Sequence, residues 1–241
     1  MFSQHKLGLK PVRHDPRTCR LDDFIDPEAI DDLLSETPAD WALGRVWDSD
    51  ILGNDFVGCC GPTAAGNWDK MVSEVAGQPS PVNTSRVLKS YKEISGWDGT
   101  EETDVGVVLL NMMNHWRKRG ICDRTIDAFV SVGFTSQRSV CTAVSLGGPT
   151  VCGFSLPVEC KNTDRWDVQP GMVRRSWGGH AVLLHAVSPM LYIIKTWGRV
   201  VYVTPAFVEA FCDEMYLPLS RDLRVVPGLD WDRLMQVVQR I

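Results

Sequence analysis

The hydrophobic period of this chain changes once, near Gly120, and that change limits the fold more than any composition figure. Before it, apolar residues recur at helical spacing. Ala64, Trp68, Met71, Val72 and Val75 fall at i, i+4, i+7, i+8 and i+11. A short helical stretch runs through Tyr91. A second long stripe is Val105, Val108, Leu109, Met112, Met113 and Trp116. Thr103 or Asp104 can cap it, and Arg119-Gly120 closes it. After Gly120, short runs at 128–132, 150–157, 181–187, 191–195 and 200–203 read as strands, with Ser188-Pro189 as a tight turn. Val140, Ala143 and Val144 mark a short helix among them. Phe207, Ala210, Phe211 and Met215 predict a late helix, and Leu234, Val237, Val238 and Ile241 a terminal one. Helices first and an antiparallel sheet second define an α+β class.

Composition excludes whole classes. With 241 residues, 44% hydrophobic and 23% charged, the chain is not collagen, a coiled coil or mainly disordered. The net charge of -5 argues against nucleic acid as a partner, since binding by phosphate neutralisation needs a basic face. No apolar run approaches the roughly 18 to 20 residues of a membrane span. The first 16 residues carry no apolar core of a signal peptide. The eight cysteines are too sparse for a disulfide scaffold and include no Cys-x-x-Cys pair. Neither a metal nor a cofactor is expected. Asp48 and Asp50, with Asn54-Asp55, resemble a calcium loop only faintly, because the closing glutamate is missing. The Met/Trp stripe of the second helix reads as core. Trp97 and Trp166 read as core or as a carbohydrate or peptide platform.

Four segments follow. Residues 1–50 form an extended charged arm, basic over 1–20 and acidic over 22–50, broken by Pro11, Pro16, Pro27 and Pro38. Phe24, Trp41 and Trp47 would pin it to the surface. Residues 51–125 make a helical lobe, 126–222 an antiparallel β lobe, and 223–241 a C-terminal helix.

Chemistry concentrates where a turn-rich stretch, Gly53 to Pro62, runs into the first helical stripe. Pro62 suits a first helical turn, so Cys60 should stand at a helix N-terminus. There the dipole and free N–H groups favour thiolate and can hold an oxyanion. Five histidines are available as a base: His5 and His14 in the arm, His115 in a helix, His180 and His185 in one strand. Their odd spacing sends His180 and His185 to opposite faces. Glycines precede His180, so backbone or substrate can approach it closely.

The order of Cys60 at a helix start, Gly179-His180-Ala181-Val182, then a hydrophobic strand ending in Thr196-Trp197-Gly198, resembles the papain-like cysteine peptidase fold. The match is closer to a phage-encoded branch of that fold. It carries Leu-Gly-Asn-Asp-x-x-Gly-Asp-Cys, here Leu52-Gly53-Asn54-Asp55-Phe56-Val57-Gly58-Cys59-Cys60. Tyr91 and Gly96, Thr103-Asp104-Val105-Gly106, Arg117-Lys118-Arg119-Gly120-Ile121 and a helix holding Asp213-Glu214-Met215-Tyr216 continue the match, from about residue 40 to 220. The resemblance implies a two-lobed fold with the site between lobes. It implies Cys60 as nucleophile, His180 as general base, Asn54 as oxyanion donor and Trp197 as a shield over the imidazole. Cys59 and Gly179 would border the cleft. Lys195 stands where the family has an orienting Asn and has no acceptor for an imidazole N–H. Thr196 Oγ or a backbone carbonyl would serve instead. In the branch, Asp takes the place of Cys59.

Two functions follow. One is a cysteine hydrolase acting on peptide or isopeptide bonds. The other is an inactive phage structural protein that contacts neighbouring virion proteins through residues 1–50. Either implies host cytoplasm or the virion as location. An open cleft with the Cys60 sulfur bonded to His180 favours the enzyme. A cleft filled by the arm or by Lys195 favours the scaffold or a latent form. A pro-segment at 1–50 is disfavoured, because the arm is short and lacks a long amphipathic helix.

Overall fold

The turn-rich stretch reverses the chain into a helix at the predicted place. Leu52 and Gly53 adopt positive φ of 50° and 90°, and helix α1 spans Cys60–Val75 with Cys59 as its N-cap. In this computed structural model the described residues are 5–26, 30, 39–41, 51–223 and 226–240. Trp47, Asp48, Asp50 and Ile241, which carry expectations above, lie outside them. Trp68, Met71 and Val72 of α1 are buried, while Val75 at its end emerges 43% exposed. Helix α2, Thr84–Ser95, starts at Asn83, which accepts the Arg86 N–H at 3.0 Å, and stops at Gly96 with φ of 80°. Helix α3 spans Leu109–Arg119. Trp116 of α3 meets Trp68 of α1 edge to face, ring centroids 5.2 Å apart.

Helix α3 begins later than its stripe predicts. Val105 is 51% exposed, and Asp104 is engaged elsewhere. Its carboxylate accepts the Gly58 N–H at 3.0 Å and the Tyr91 hydroxyl at 2.5 Å. Gly106, at φ of 72°, then turns Val107 into a β-bridge with Leu9. Tertiary bonds thus replace the first helical turn.

The sheet is built from β1 (Ala39–Asp40), β2 (Ala128–Ser131), β3 (Thr150–Leu156), β4 (Arg165–Trp166), β5 (Gly178–Val187), β6 (Tyr192–Thr196), β7 (Arg199–Val203) and β8 (Cys212–Leu219). Its order is β2-β8-β3-β5-β6-β7-β4, with β1 paired to β5. Every pairing is antiparallel except β4 with β7. Short helices α4 (Gln137–Thr142), α5 (Pro205–Phe211) and α6 (Trp231–Val238) flank it. The late helix ends at Phe211. The stretch Asp213-Glu214-Met215-Tyr216 is strand, not helix, because β8 runs between β2 and β3 and is buried along nearly its whole length. A run buried on both faces loses the alternation that separates strand from helix. Trp166 is wholly buried and belongs to the core. The class is α+β, helical lobe first and antiparallel sheet lobe second.

Candidate active site

Helix α1 delivers Cys60 against the start of β5. The Ala181 N–H donates to Cys60 Sγ at 3.3 Å, so the sulfur lies one residue along the strand from His180. Both side chains are sealed: Cys60 is 1% exposed and His180 fully buried. Burial pushes the Cys60 thiol up to about 11, against backbone N–H groups of Ala181, Gly8, Gly61 and Cys60 itself that favour the ionised sulfur. Burial also holds the His180 imidazole well below its usual range, and the charges of His5 and Arg199 add to that. Burial thus works against the charged form of both groups.

The His180 ring is fixed from two sides. Nε2 is bonded to Thr196 Oγ1 at 2.5 Å, and Trp197 stacks on the ring with centroids 4.0 Å apart and planes within 12°. Strand β6 ends at Thr196, and Trp197 turns at φ of 46°, a conformation uncommon for a bulky residue. Nδ1 makes no hydrogen bond among the described residues, to Cys60 or to any other group. Lys195, the residue in the Asn place, is buried in β6. His185 lies five residues along β5, with Nδ1 at 3.6 Å from Asp40. His115 faces Glu93 at 3.7 Å.

Asn54 is 1% exposed and points its amide at two carbonyls, Val57 O at 3.0 Å and Lys6 O at 3.4 Å. Cys59 takes another direction from the one expected. Its sulfur contacts Thr63 Oγ1 at 3.5 Å and Leu52 O at 3.8 Å, inside the helical lobe, and burial pushes its thiol up to about 12. Cys59 does not border the cleft. All eight cysteines are unpaired. Among the described residues no cluster of three or more His, Cys, Asp or Glu could hold a metal.

The cleft is occupied by the chain's own residues 5–10. Leu9 N–H donates to Gly179 O at 3.1 Å, Lys10 N–H to Val107 O at 2.8 Å, and Val107 N–H to Gly8 O at 2.9 Å. Lys6 O also accepts from Trp197 Nε1 at 3.0 Å, and Leu9 O accepts from Arg175 Nη2 at 2.7 Å. His5 stacks on Trp197, centroids 4.6 Å apart. The walls are glycines for a steric reason. A Cβ on Gly106 would lie 2.2 Å from Gly8 O, and one on Gly179 would lie 2.3 Å from Leu9 O. A Cβ on Gly8 itself would lie 1.7 Å from Gly58 O. The sequence places glycines before His180 for close approach, and Leu7 and Leu9 make that approach. Gly8, Leu9 and Arg175 were not legible as site residues, and His5 only as one of five candidate bases. Their signal was this glycine set, spread over three distant segments.

A cysteine helix set against a histidine strand is the architecture of the papain-like cysteine proteases, and this chain has their fold. Xylellain, a cysteine protease from Xylella fastidiosa, superposes with a TM-score of 0.72 at 15% identity, over 90% of this chain and 97% of that one. A cysteine protease from Carica candamarcensis gives 0.57 at 14%, over 76% and 98%. The recombinant stem bromelain precursor gives 0.57 at 14%, over 90% and 78%. No protein-family model and no curated protein sequence matches.

Proposed function

We propose that this protein is a papain-like cysteine hydrolase of the phage-encoded branch, acting on peptide or isopeptide bonds and held latent by residues 5–10. The observation that carries this reading is the fixed imidazole. Thr196 and Trp197 lock His180, leaving Nδ1 as its one free nitrogen beside the Cys60 helix. In the reaction, Nδ1 takes the Cys60 proton and the thiolate attacks the carbonyl carbon. The C–N bond breaks, and the amine leaves with the proton from the imidazolium. Water, deprotonated by His180, then cleaves the thioester, releasing acid and free thiol. Asn54 Nδ2 and the Cys60 N–H are the donors for the oxyanion. Burial disfavours thiolate and imidazolium in the closed form, which fits a latent state. The strap, residues 5–10, is itself a poor substrate, because Gly8 presents an N–H to the sulfur where a scissile bond must present a carbonyl carbon.

A second reading, a catalytically inactive virion component, is favoured by the same closed cleft. Alkylation of Cys60 by iodoacetamide between pH 5 and 9, mapped by mass spectrometry, separates the two. The comparison is the native chain, Gly8→Val to expel the strap, and Gly8→Val with His180→Ala. The hydrolase reading expects Gly8→Val to react well below the roughly 8.5 of a free thiol, and His180→Ala to abolish that. Reaction indifferent to His180 selects the scaffold.

A further inference from the structure

The peptide unit between Val57 and Gly58 is held at both ends. Its C=O accepts one N–H of the Asn54 amide at 3.0 Å. Its N–H donates to both oxygens of the Asp104 carboxylate, each at 3.0 Å. A side-chain amide of this kind has two N–H groups. With one fixed on Val57 O, the other has a set direction, toward Lys6 O of the strap at 3.4 Å. The aim of that second N–H depends on the plane of one peptide, and the plane depends on Asp104. Gly58 makes the approach possible, because a Cβ there would lie 2.9 Å from Asp104 Oδ1.

Asp104 comes from another segment, 46 residues along the chain from Gly58. The N-cap of α3 is Val108, so this carboxylate serves the turn before Cys60 rather than the helix that follows it. The same carboxylate accepts the Tyr91 hydroxyl at 2.5 Å. Burial first, and the bond to Asp104 next, hold that hydroxyl protonated far above its usual range, so Tyr91 is the donor of the pair. Tyr91 Oη also accepts the Gly106 N–H at 2.9 Å, and the next residue, Val107, gives its N–H to Gly8 O of the strap at 2.9 Å. One carboxylate thus fixes the amide beside Cys60 and the backbone wall that faces it. Bonds to a charged acceptor are the strong ones.

We propose that Asp104 is a positioning residue for acyl transfer: through the Val57–Gly58 peptide it aims the second N–H of Asn54 at the oxyanion, and through Tyr91 it keeps the Gly106–Val107 wall in register with that donor. It touches no reacting atom. The proposal rests on the hydrolase reading for its reaction and on the bonds above for the relay. Attack of the thiolate on a carbonyl carbon moves the C=O electron pair onto oxygen, where an aimed donor lowers the barrier. Displacement of iodide from iodoacetamide by the same thiolate forms a C–S bond and no oxyanion. Loss of the relay therefore slows one reaction of Cys60 and spares the other, whereas a damaged fold slows both.

Two measurements test it. The first treats the opened Gly8→Val chain with para-nitrophenyl acetate. The thiolate attacks the ester carbon, the C–O bond breaks, Cys60 keeps the acetyl group and para-nitrophenolate leaves. The burst above that of Cys60→Ser is the readout. Asp104→Asn sets an N–H donor against the Gly58 N–H. It is expected to slow the burst roughly ten-fold and to leave iodoacetamide alkylation within about two-fold. Tyr91→Phe is expected to do the same by roughly three-fold. Neither should add to the loss caused by Asn54→Ala. Glu102→Gln, an exposed acid of the same loop, should change neither reaction. The second measurement needs no catalysis. Proton–nitrogen spectra of the native chain follow the two side-chain N–H signals of Asn54, which Asp104→Asn is expected to move and Glu102→Gln to leave in place. The proposal is overturned if a folded Asp104 or Tyr91 variant slows burst and alkylation alike, leaves the burst unchanged, or adds fully to Asn54→Ala. It is equally overturned if the Asn54 signals ignore Asp104. If the opened chain shows no burst above Cys60→Ser, the hydrolase reading fails, and the spectra still decide the relay.

Discussion

Thr196 holds the His180 ring through one hydroxyl. Its bond to Nε2 is short and wholly buried, so removing the hydroxyl leaves a ring nitrogen without a partner. Thr196→Val is expected to cost about 1–3 kcal/mol in urea unfolding and to slow Cys60 alkylation in the Gly8→Val background, with Thr196→Ser restoring both. A stable Thr196→Val protein with unchanged alkylation would show that the ring is held by Trp197 alone. Glu214 gives a second prediction at this scale. Its carboxyl is raised from 4.5 to about 7 in the folded chain. The folded state thus binds the proton more tightly, and the stability this contributes is full below about 4.5 and lost as pH rises through 7. The slope integrates to on the order of 3 kcal/mol. Glu214→Gln should flatten the stability curve between pH 4.5 and 7. Cys60, His180 and Asn54 were legible because helix dipole, flanking glycines and motif order all mark them. The burial of Glu214 was not, since nothing in a sequence shows that a strand carboxyl stands opposite a glycine on the next strand.

At the scale of elements, two kinds of signal were legible. Helix α2 and strand β7 bury and expose residues in step with their own period, whereas strands β3 and β5, buried along nearly their whole length, were legible as short apolar runs bounded by glycine, proline and serine. Helix α3 and strand β8 depart from expectation for opposite reasons. The N-terminal end of the α3 stripe is drawn off by Asp104 and by the Leu9–Val107 bridge. Strand β8 is buried along nearly its whole length, as β3 and β5 are, but it follows helix α5 directly at Phe211–Cys212, with no turn residue to mark where the helix ends. The strap itself is nearly silent in sequence, because its bonds are made by backbone groups. Its fit to the glycine walls is testable from the wall side. Gly106→Ala puts a methyl 2.2 Å from Gly8 O and should speed hydrogen exchange at the Leu9 and Lys10 amides by roughly ten-fold or more. Gly96→Ala is the control for backbone strain, with a similar φ of 80° and nothing within 4 Å of the new methyl. If both variants behave alike, local strain rather than the wall contact governs the strap.

On the scale of the molecule, the strap is a cross-link between lobes. Leu9 bonds Gly179 in the sheet lobe, Gly8 and Lys10 bond Val107 in the helical lobe, and Lys6 O joins Asn54 to Trp197. On the proposed hydrolase reading, stability and latency are then one property. Expelling the strap exposes Leu9, whose burial is worth about 1.5–3 kcal/mol, and returns water to Cys60 and His180. Gly8→Val should therefore melt roughly 5 °C or more below the native chain while its Cys60 becomes the more reactive. The direction of the titration change follows from the cause of the shifts. Burial raises the thiol and lowers the imidazole, so hydration moves them toward each other and favours thiolate with imidazolium. A peptide seated in the emptied cleft should recover the lost melting temperature, because it remakes bonds to both lobes. If the opened chain melts lower and no peptide restores it, the cleft is built for its own strap alone. Latency would then be the permanent state of the protein.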